Sequence, residues 1–328
     1  MTASLNIILL QPDFSRYKGA YYQHQFTQAL GRVHRVFRYG PRLDGYDPDH
    51  TIDDVLKLCP FEPQLICFGA GWEVEDPTIP EADPHPAINV ARAGVPSVLV
   101  LNKEYKKLEE KFRFVQDNRV RLVFTTHHHY NTWEGQVGVP FVHFPFAVDP
   151  ELFRDYGERK RYSFGFSGSL HAQWTDVRAR VKEHMFWKWP VKRPRYWGMR
   201  VFWSEGGRMR MFRLPVNEDY ARTIGRSRIW LSTPSAVDLV GTRFYEIMAV
   251  RSLLMCSRSP AYEGLFEEGK HCVMFDPDLG DFDETLFHYL RHDDEREAIV
   301  EAAYDHVLRE HTWDRRIEQF TEAVGAIL

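Results

Sequence analysis

Short, unbroken apolar runs recur along the chain, each bounded by a turn or by a helix-period segment. LNIILLQ (5–11), HRVFRYG (34–40), PQLICFGAG (63–71), PSVLVLNK (96–103), VRLVFTTHHHY (120–130) and VPFVHFPFAV (139–148) each read as a strand. Between the first two lies YYQHQFTQALGRV (21–33), with Tyr22, Phe26, Leu30 and Val33 near one helix face. TIDDVLKLC (51–59) reads as a helix with Thr51 as N-cap and acids in its first turn. A strand that is apolar throughout must be covered on both faces. Alternation of such strands with helices therefore predicts a parallel sheet between two helix layers.

The pattern then restarts. A polar link at 149–161 leads into the strand YSFGFSG, a helical patch (175–187), a strand at 196–203 and the helix EDYARTIGRS (218–227). RIWLSTPS (228–235), SLLMCS (252–257) and HCVMF (271–275) read as strands, with the helix RFYEIMAV (243–250) between the first two. Two helical stretches close the chain, one at 284–290 and one from 295 onward. A chain of 328 residues has room for two such units. The expected fold class is α/β, with two Rossmann-like domains facing each other across a cleft. The expected boundaries are 1–150 and 151–310, with 311–328 helical. In such folds ligands bind outside the carboxyl ends of the strands.

Composition narrows the class but names no partner. With 44% apolar and 27% charged residues the chain is that of a globular protein, and a net charge of −4 points to no ligand. The distribution is more telling: residues 178–213 hold eleven Lys or Arg and two acids, whereas 214–328 hold twelve bases and twenty-two acids. Cys59, Cys67, Cys256 and Cys272 show no metal or redox spacing, so buried, reduced thiols in a cytoplasmic protein are expected. No apolar run reaches transmembrane length, and MTASLNIILLQPD reads as a first strand and not as a leader. The D-x-D triplets at 47–49, 276–278 and 281–283 sit in turn-like sequence and are weak evidence for a metal.

The segment GTRFYEIMA (241–249) carries the chemistry. Gly241 permits a tight turn, and Thr242 is placed to cap a helix that begins at Arg243. Free amides at a helix start, with an arginine beside them, suit a phosphate. Asp238 precedes this helix and Glu246 lies one turn into it, placed to take the hydroxyls of a sugar and a ribose. The alternative is a well-capped helix packed on a sheet, and spacing alone leaves both open.

The residues beyond the helix favour the phosphate and sugar site. The run VGTRFYEIMAVRSLLMCSRSPAYEGLFEEGKHCVMFDPD resembles the nucleotide-sugar segment of GT-B glycosyltransferases of the glycosyl transferases group 1 type, closest to the CgeB-like branch. Glu246, Met248 and Ala249 match its helix; Pro260, Glu263, Phe266 and Gly269 match the turn beyond it. HVLREHTWDRRIEQF resembles the family's closing helix, which implies a terminal helix at 311–328 crossing back to the first domain. The resemblance covers the last 110 residues or so and implies twin Rossmann domains and metal-independent transfer from a nucleoside-diphosphate sugar, with retention. It implies donor contacts from Ser167, Gly168, Ser169, Gly241, Thr242, Arg243 and Glu246, with Asp238 as the first acid of the family's E-x7-E pair. The bases that many members place after the Gly-rich loop are absent from SLHAQWTDVR. Diphosphate charge is then left to Arg243, to Arg226, or to a base from 178–213.

In the first domain, Lys18, Gly19 and His24 are acceptor-side candidates by the same resemblance, or parts of an ordinary loop. His127 and His128 follow a strand: His127 is a candidate base or hydroxyl-orienting group and His128 an acceptor-side candidate, or both are plain loop, while adjacent histidines seldom converge on one metal ion. The basic, aromatic segment 184–213 reads as an extended hairpin, or as a surface for lipid headgroups or nucleic acid. Three functions compete: a sugar transferase with a hydroxyl acceptor (glycan, small molecule or nucleic acid), a nucleotide-sugar-binding protein without turnover, and a nucleotide-sugar epimerase. No cofactor is expected.

Overall fold

The structure, a computed structural model, describes residues 4–15, 21–72, 88–170, 177–188, 191–205, 209–210, 217–235 and 238–328. The chain divides into two compact units. Unit 1 comprises residues 1–145 with 313–328, and unit 2 comprises 146–312.

Unit 1 contains β1 (Asn6–Leu10), α1 (Tyr21–Val33), β2 (Arg35–Tyr39), α2 (Ile52–Leu58), β3 (Leu65–Phe68), β4 (Ser97–Val100), α3 (Leu108–Asp117), β5 (Leu122–Thr125), α4 (Tyr130–Val137) and β6 (Phe141–His143). Its strands form one parallel sheet in the order β2-β1-β3-β4-β5-β6. β3 and β5 are buried along their whole length, as the unbroken apolar runs require. At the start of α2 the Asp54 carboxylate accepts from both the N–H and the hydroxyl of Thr51, which closes the expected helix start. Helices α3 and α4 were not foreseen. The charged KKLEEKFRFVQD and the aromatic YNTWEGQV show less regular apolar spacing than α1, and packing on the sheet decides them.

Unit 2 contains β7 (Tyr162–Leu170), α5 (Val177–Met185), β8 (Phe186–Lys188), β9 (Val191–Lys192), β10 (Arg200–Glu205), β11 (Met209–Arg210), α6 (Asn217–Gly225), β12 (Ser227–Ser232), α7 (Arg243–Ala249), β13 (Leu253–Ser257), β14 (Val273–Phe275), α8 (Phe282–Arg291) and α9 (Asp293–Glu310). The sheet order is β11-β10-β7-β12-β13-β14, parallel except for β11. On β7, Phe164 and Phe166 face a core that includes Val181, Met185, Ile229, Leu231 and Phe282. Gly165 faces the other way, where a Cβ would stand 2.1 Å from the Trp230 ring. Glycine is therefore required there by close packing, and an alanine would displace a fully buried indole.

The closing helical stretch breaks at His311 and Thr312. Its remainder, α10 (Trp313–Gly325), belongs to unit 1. Trp313, Ile317 and Phe320 are buried there: Trp313 Nε1 donates to Gln25 Oε1 at 3.1 Å, and the Phe320 ring stacks on Phe124 at 4.9 Å. Cys67, Cys256 and Cys272 are buried free thiols and Cys59 is half-buried; burial pushes the Cys67 thiol far up. No helix among the described residues is long and apolar enough to cross a membrane.

Candidate functional site

In unit 2 the chain leaves β7 in one direction to form β10, then returns to place β12 on its other side. The carboxyl ends of β7 and β12 thus flank a topological switch point, where open α/β sheets leave a crevice. Ser167 and Gly168 stand near the end of β7. The Ser167 hydroxyl is 2.7 Å from the Tyr220 hydroxyl, and Arg243 Nε donates to that same oxygen at 2.9 Å. A Cβ at Gly168 would lie 3.6 Å from Arg243 Nη1 and 2.6 Å from the Phe166 ring. The guanidinium is thereby held over the glycine at the strand end. Burial raises the Tyr220 phenol, while the Arg243 charge beside it acts the other way.

Tyr220 was missed from the sequence. It lies in α6, twenty-three residues before Arg243, and nothing in EDYARTIG marks it as more than a core aromatic. The structure also selects one base from the 178–213 segment. Arg178 in α5 donates from Nε to Thr233 Oγ1 at 2.8 Å and from Nη2 to the Thr233 carbonyl at 3.1 Å, at the carboxyl end of β12.

Arg226 stands elsewhere. It precedes β12, and its carbonyl accepts from the N–H groups of Arg161 and Tyr162 at the amino end of β7. Its guanidinium forks onto Glu158 at 3.0 and 2.9 Å, joined there by Arg222, and the two arginines pull the Glu158 carboxyl down to about 2. A guanidinium committed to a carboxylate at the amino edge of the sheet does not serve the strand ends.

Helix α7 begins at Arg243 as expected, but the Thr242 side chain makes no capping hydrogen bond; its carbonyl instead accepts from Tyr245 and Glu246. With seven residues the helix is short, so the fixed charge of Arg243 outweighs its dipole. Gly241 has no positive φ, and a Cβ there meets nothing within 4 Å, so the expected glycine turn is not what holds it. Glu246 is 2% exposed and its charge reaches Tyr220. Asp238 is exposed, in the left-handed region at φ 54°, where its N–H donates to the Ser235 carbonyl at 3.0 Å. The two acids of the pair thus stand in unlike surroundings. Ser169 belongs to β7, but its side chain lies outside the described residues.

In unit 1, Lys18 and Gly19 lie outside the described residues. His24 is half-buried in α1, and its Nδ1 finds no hydrogen-bond partner among the described residues. His127 and His128 lie in the loop from β5 into α4 with their rings stacked at 4.9 Å. His129 N–H donates to His127 Nδ1 at 3.1 Å, so the neutral His127 ring carries its proton on Nε2 and is set to donate, not to act as a base. That loop is anchored by Glu104, which accepts from Thr125 Oγ1 (3.0 Å), Thr126 N (2.9 Å) and Thr126 Oγ1 (2.8 Å). Gln11, beyond β1 at the switch point of this sheet, donates to Thr27 and is 2% exposed; its Oε1 has no partner among the described residues. Within the basic, aromatic segment β8 pairs antiparallel with β9, and Trp187 in β8 and Trp197 beyond β9 are 66% and 70% exposed.

This architecture is that of GT-B glycosyltransferases. Sucrose-phosphate synthase from Thermosynechococcus elongatus superposes with a TM-score of 0.67 at 10% identity, over 98% of this chain and 99% of that one. HepE from Anabaena, solved with UDP and glucose, gives 0.60 at 11% identity over 98% and 100%. An α-glucosyltransferase in complex with UDP-glucose and DNA containing an abasic site gives 0.63 at 9% over 98% and 100%. At these identities the likeness is one of fold. None of the curated proteins compared with the sequence matches it. The glycosyl transferase-like family matches residues 159–322, half of the chain, and the chain belongs to that family.

Proposed function

We propose that the chain transfers a sugar from a nucleoside-diphosphate sugar to a hydroxyl acceptor, holding the donor at the carboxyl ends of β7 and β12. One observation carries this reading: Ser167, Tyr220 and Arg243 form a bonded chain that fixes a guanidinium over Gly168 at the switch point. A planar, permanently charged fork suits a diphosphate, and its position is set before the donor arrives. As the sugar–phosphate bond lengthens, negative charge grows on the leaving diphosphate, and Arg243 stabilises it without a resident metal. Arg178 supplies a second positive charge at the end of β12. Glu246, already desolvated by the fold, accepts from ribose hydroxyls at little further cost.

Asp238, exposed on the loop before α7, faces the donor sugar in this reading, and transfer retains configuration. In unit 1, His127 and His128 orient the acceptor hydroxyl, with His127 donating from Nε2. In this reading the looseness of the motif GTRFYEIMA favours the CgeB-like branch, and the free thiols suit the cytoplasm. UDP-sugars are the donors to try first, because proteins of this fold have been solved with UDP and with UDP-glucose.

The test is to incubate the chain with UDP-, GDP- and TDP-sugars and follow bound and released nucleotide by mass spectrometry, beside Arg243→Ala. Binding or turnover of at least one donor that Arg243→Ala removes is expected. If no nucleotide sugar binds or turns over, the proposal is wrong.

A further inference from the structure

At the junction of α8 and α9, three side chains able to ligate a metal come together. His288 and His292 stand one helical turn apart, their rings stacked with centroids 4.1 Å apart and 23° between planes. Glu295 follows in the first turn of α9, with Oε2 2.9 Å from His288 Nε2. One ligand atom from each of the three lies within 4.8 Å of the others, and among the described residues this is the only such group of His, Cys, Asp or Glu.

Hydrogen bonds prepare the donors. His292 Nδ1 is 2.8 Å from the His288 carbonyl oxygen. A carbonyl only accepts, so Nδ1 carries the proton and the Nε2 lone pair is left for a ligand. An imidazole whose second nitrogen donates to a backbone carbonyl is the arrangement found behind metal-bound histidines, because it fixes both tautomer and ring direction. The charge around the group also favours a cation. Asp293, Asp294 and Glu295 make the first turn of α9 acidic. Arg291 donates to the Phe287 carbonyl, and Arg296 is held by Asp293, Glu297 and the Tyr289 carbonyl.

We propose that His288, His292 and Glu295 bind a divalent transition-metal ion of the zinc class, tying the end of α8 to the start of α9. Two imidazoles and a carboxylate suit zinc and exclude magnesium or calcium as the preferred ion, since those take oxygen donors. The fourth position is left to water. On binding, the neutral His288 ring changes tautomer: the proton that Nε2 holds toward Glu295 leaves to solvent while Nδ1 takes one up, and the freed Nε2 lone pair turns to the metal.

The site is separate from the donor region and does not rest on the transferase reading. Asp293 feels the charge of Arg228 in β12, and Glu297 that of Lys160, which precedes β7. Both bases stand toward the amino ends of their strands, the edge opposite Gly168.

The experiment uses the full chain stripped of metal by a chelator, then titrated with Zn²⁺ against a chromophoric competitor. Wild type is expected to hold one more tight Zn²⁺ per chain than His288→Ala/His292→Ala. Glu295→Gln should weaken that site roughly tenfold. Zn²⁺ should raise the melting temperature of wild type and leave the double variant unmoved, while Mg²⁺ raises neither. All three residues are at the surface, and the metal-free melting temperature of each variant reports its folding; should the double variant not fold, Glu295→Gln alone decides. Equal Zn²⁺ stoichiometry and affinity in wild type and in the variants, or an equal response to Mg²⁺, overturns the proposal.

Discussion

At the carboxyl ends of its strands, unit 1 buries charges that answer to its own loops, whereas unit 2 holds one beside a strand position that carries no side chain. Glu104 is 4% exposed and gathers the hydroxyls of Thr125 and Thr126 with the Thr126 amide; Lys111, equally hidden, holds the carbonyls of Asn102 and Lys103. These ions hold loops. Arg243 is bound by the fold through Nε to Tyr220, while Nη1 lies beside Gly168, where the strand has no side chain. The same architecture thus places held ions in two settings. Glu104 and Lys111 fix loops, and the charge held beside Gly168 is the one proposed to meet the donor.

Mutation can break that contrast. Arg243→Ala should weaken donor binding or turnover roughly 100-fold or more while leaving the fold intact, read by donor titration beside a melting curve. Glu104→Ala should do the reverse. It strands a backbone N–H and two hydroxyls, costs about 3 kcal/mol of stability, and leaves the donor Kd of unit 2 unchanged. If Glu104→Ala removed donor binding without lowering the melting temperature, the assignment of Glu104 to loop anchoring would fail.

Smaller changes sharpen it. Tyr220→Phe keeps the ring and deletes the hydroxyl that joins Ser167 to Arg243; a loss of roughly fivefold in donor affinity is expected, near 1 kcal/mol. A merely structural Tyr220 would lower the melting temperature and leave the donor KM alone. Gly241→Ala should change stability by less than about 0.5 kcal/mol, because a Cβ there meets open space and φ is not positive. A few-fold loss of donor affinity would place Gly241 against the donor backbone.

Much of the frame was legible from sequence, because strands buried on both faces leave an unmistakable apolar trace: LICF and LLMCS became strands as written. The helix start at Arg243 was legible from the apolar residues behind it, although Thr242 makes no side-chain cap and Gly241 has no positive φ. The site was legible only in part. Gly168 and Arg243 stand together, but the hydroxyl that ties Arg243 to Ser167 comes from α6, and no local pattern in the sequence reports that contact. Arg226 failed for the same reason in reverse. Its nearness in sequence to β12 hid that it sits at the amino end, held by Glu158.

The last helix has a consequence for how the chain is made. Unit 1 is interrupted by the whole of unit 2, and Trp313, Ile317 and Phe320 complete its core only after residue 312. On the ribosome, the first sheet must wait with the faces of Phe26 and Phe124 uncovered while some 170 further residues emerge. Unit 2, unbroken in sequence, can fold first. The amino-terminal half is thus the one whose core stays open longest, and truncation before Trp313 should cost it far more than its sixteen residues suggest.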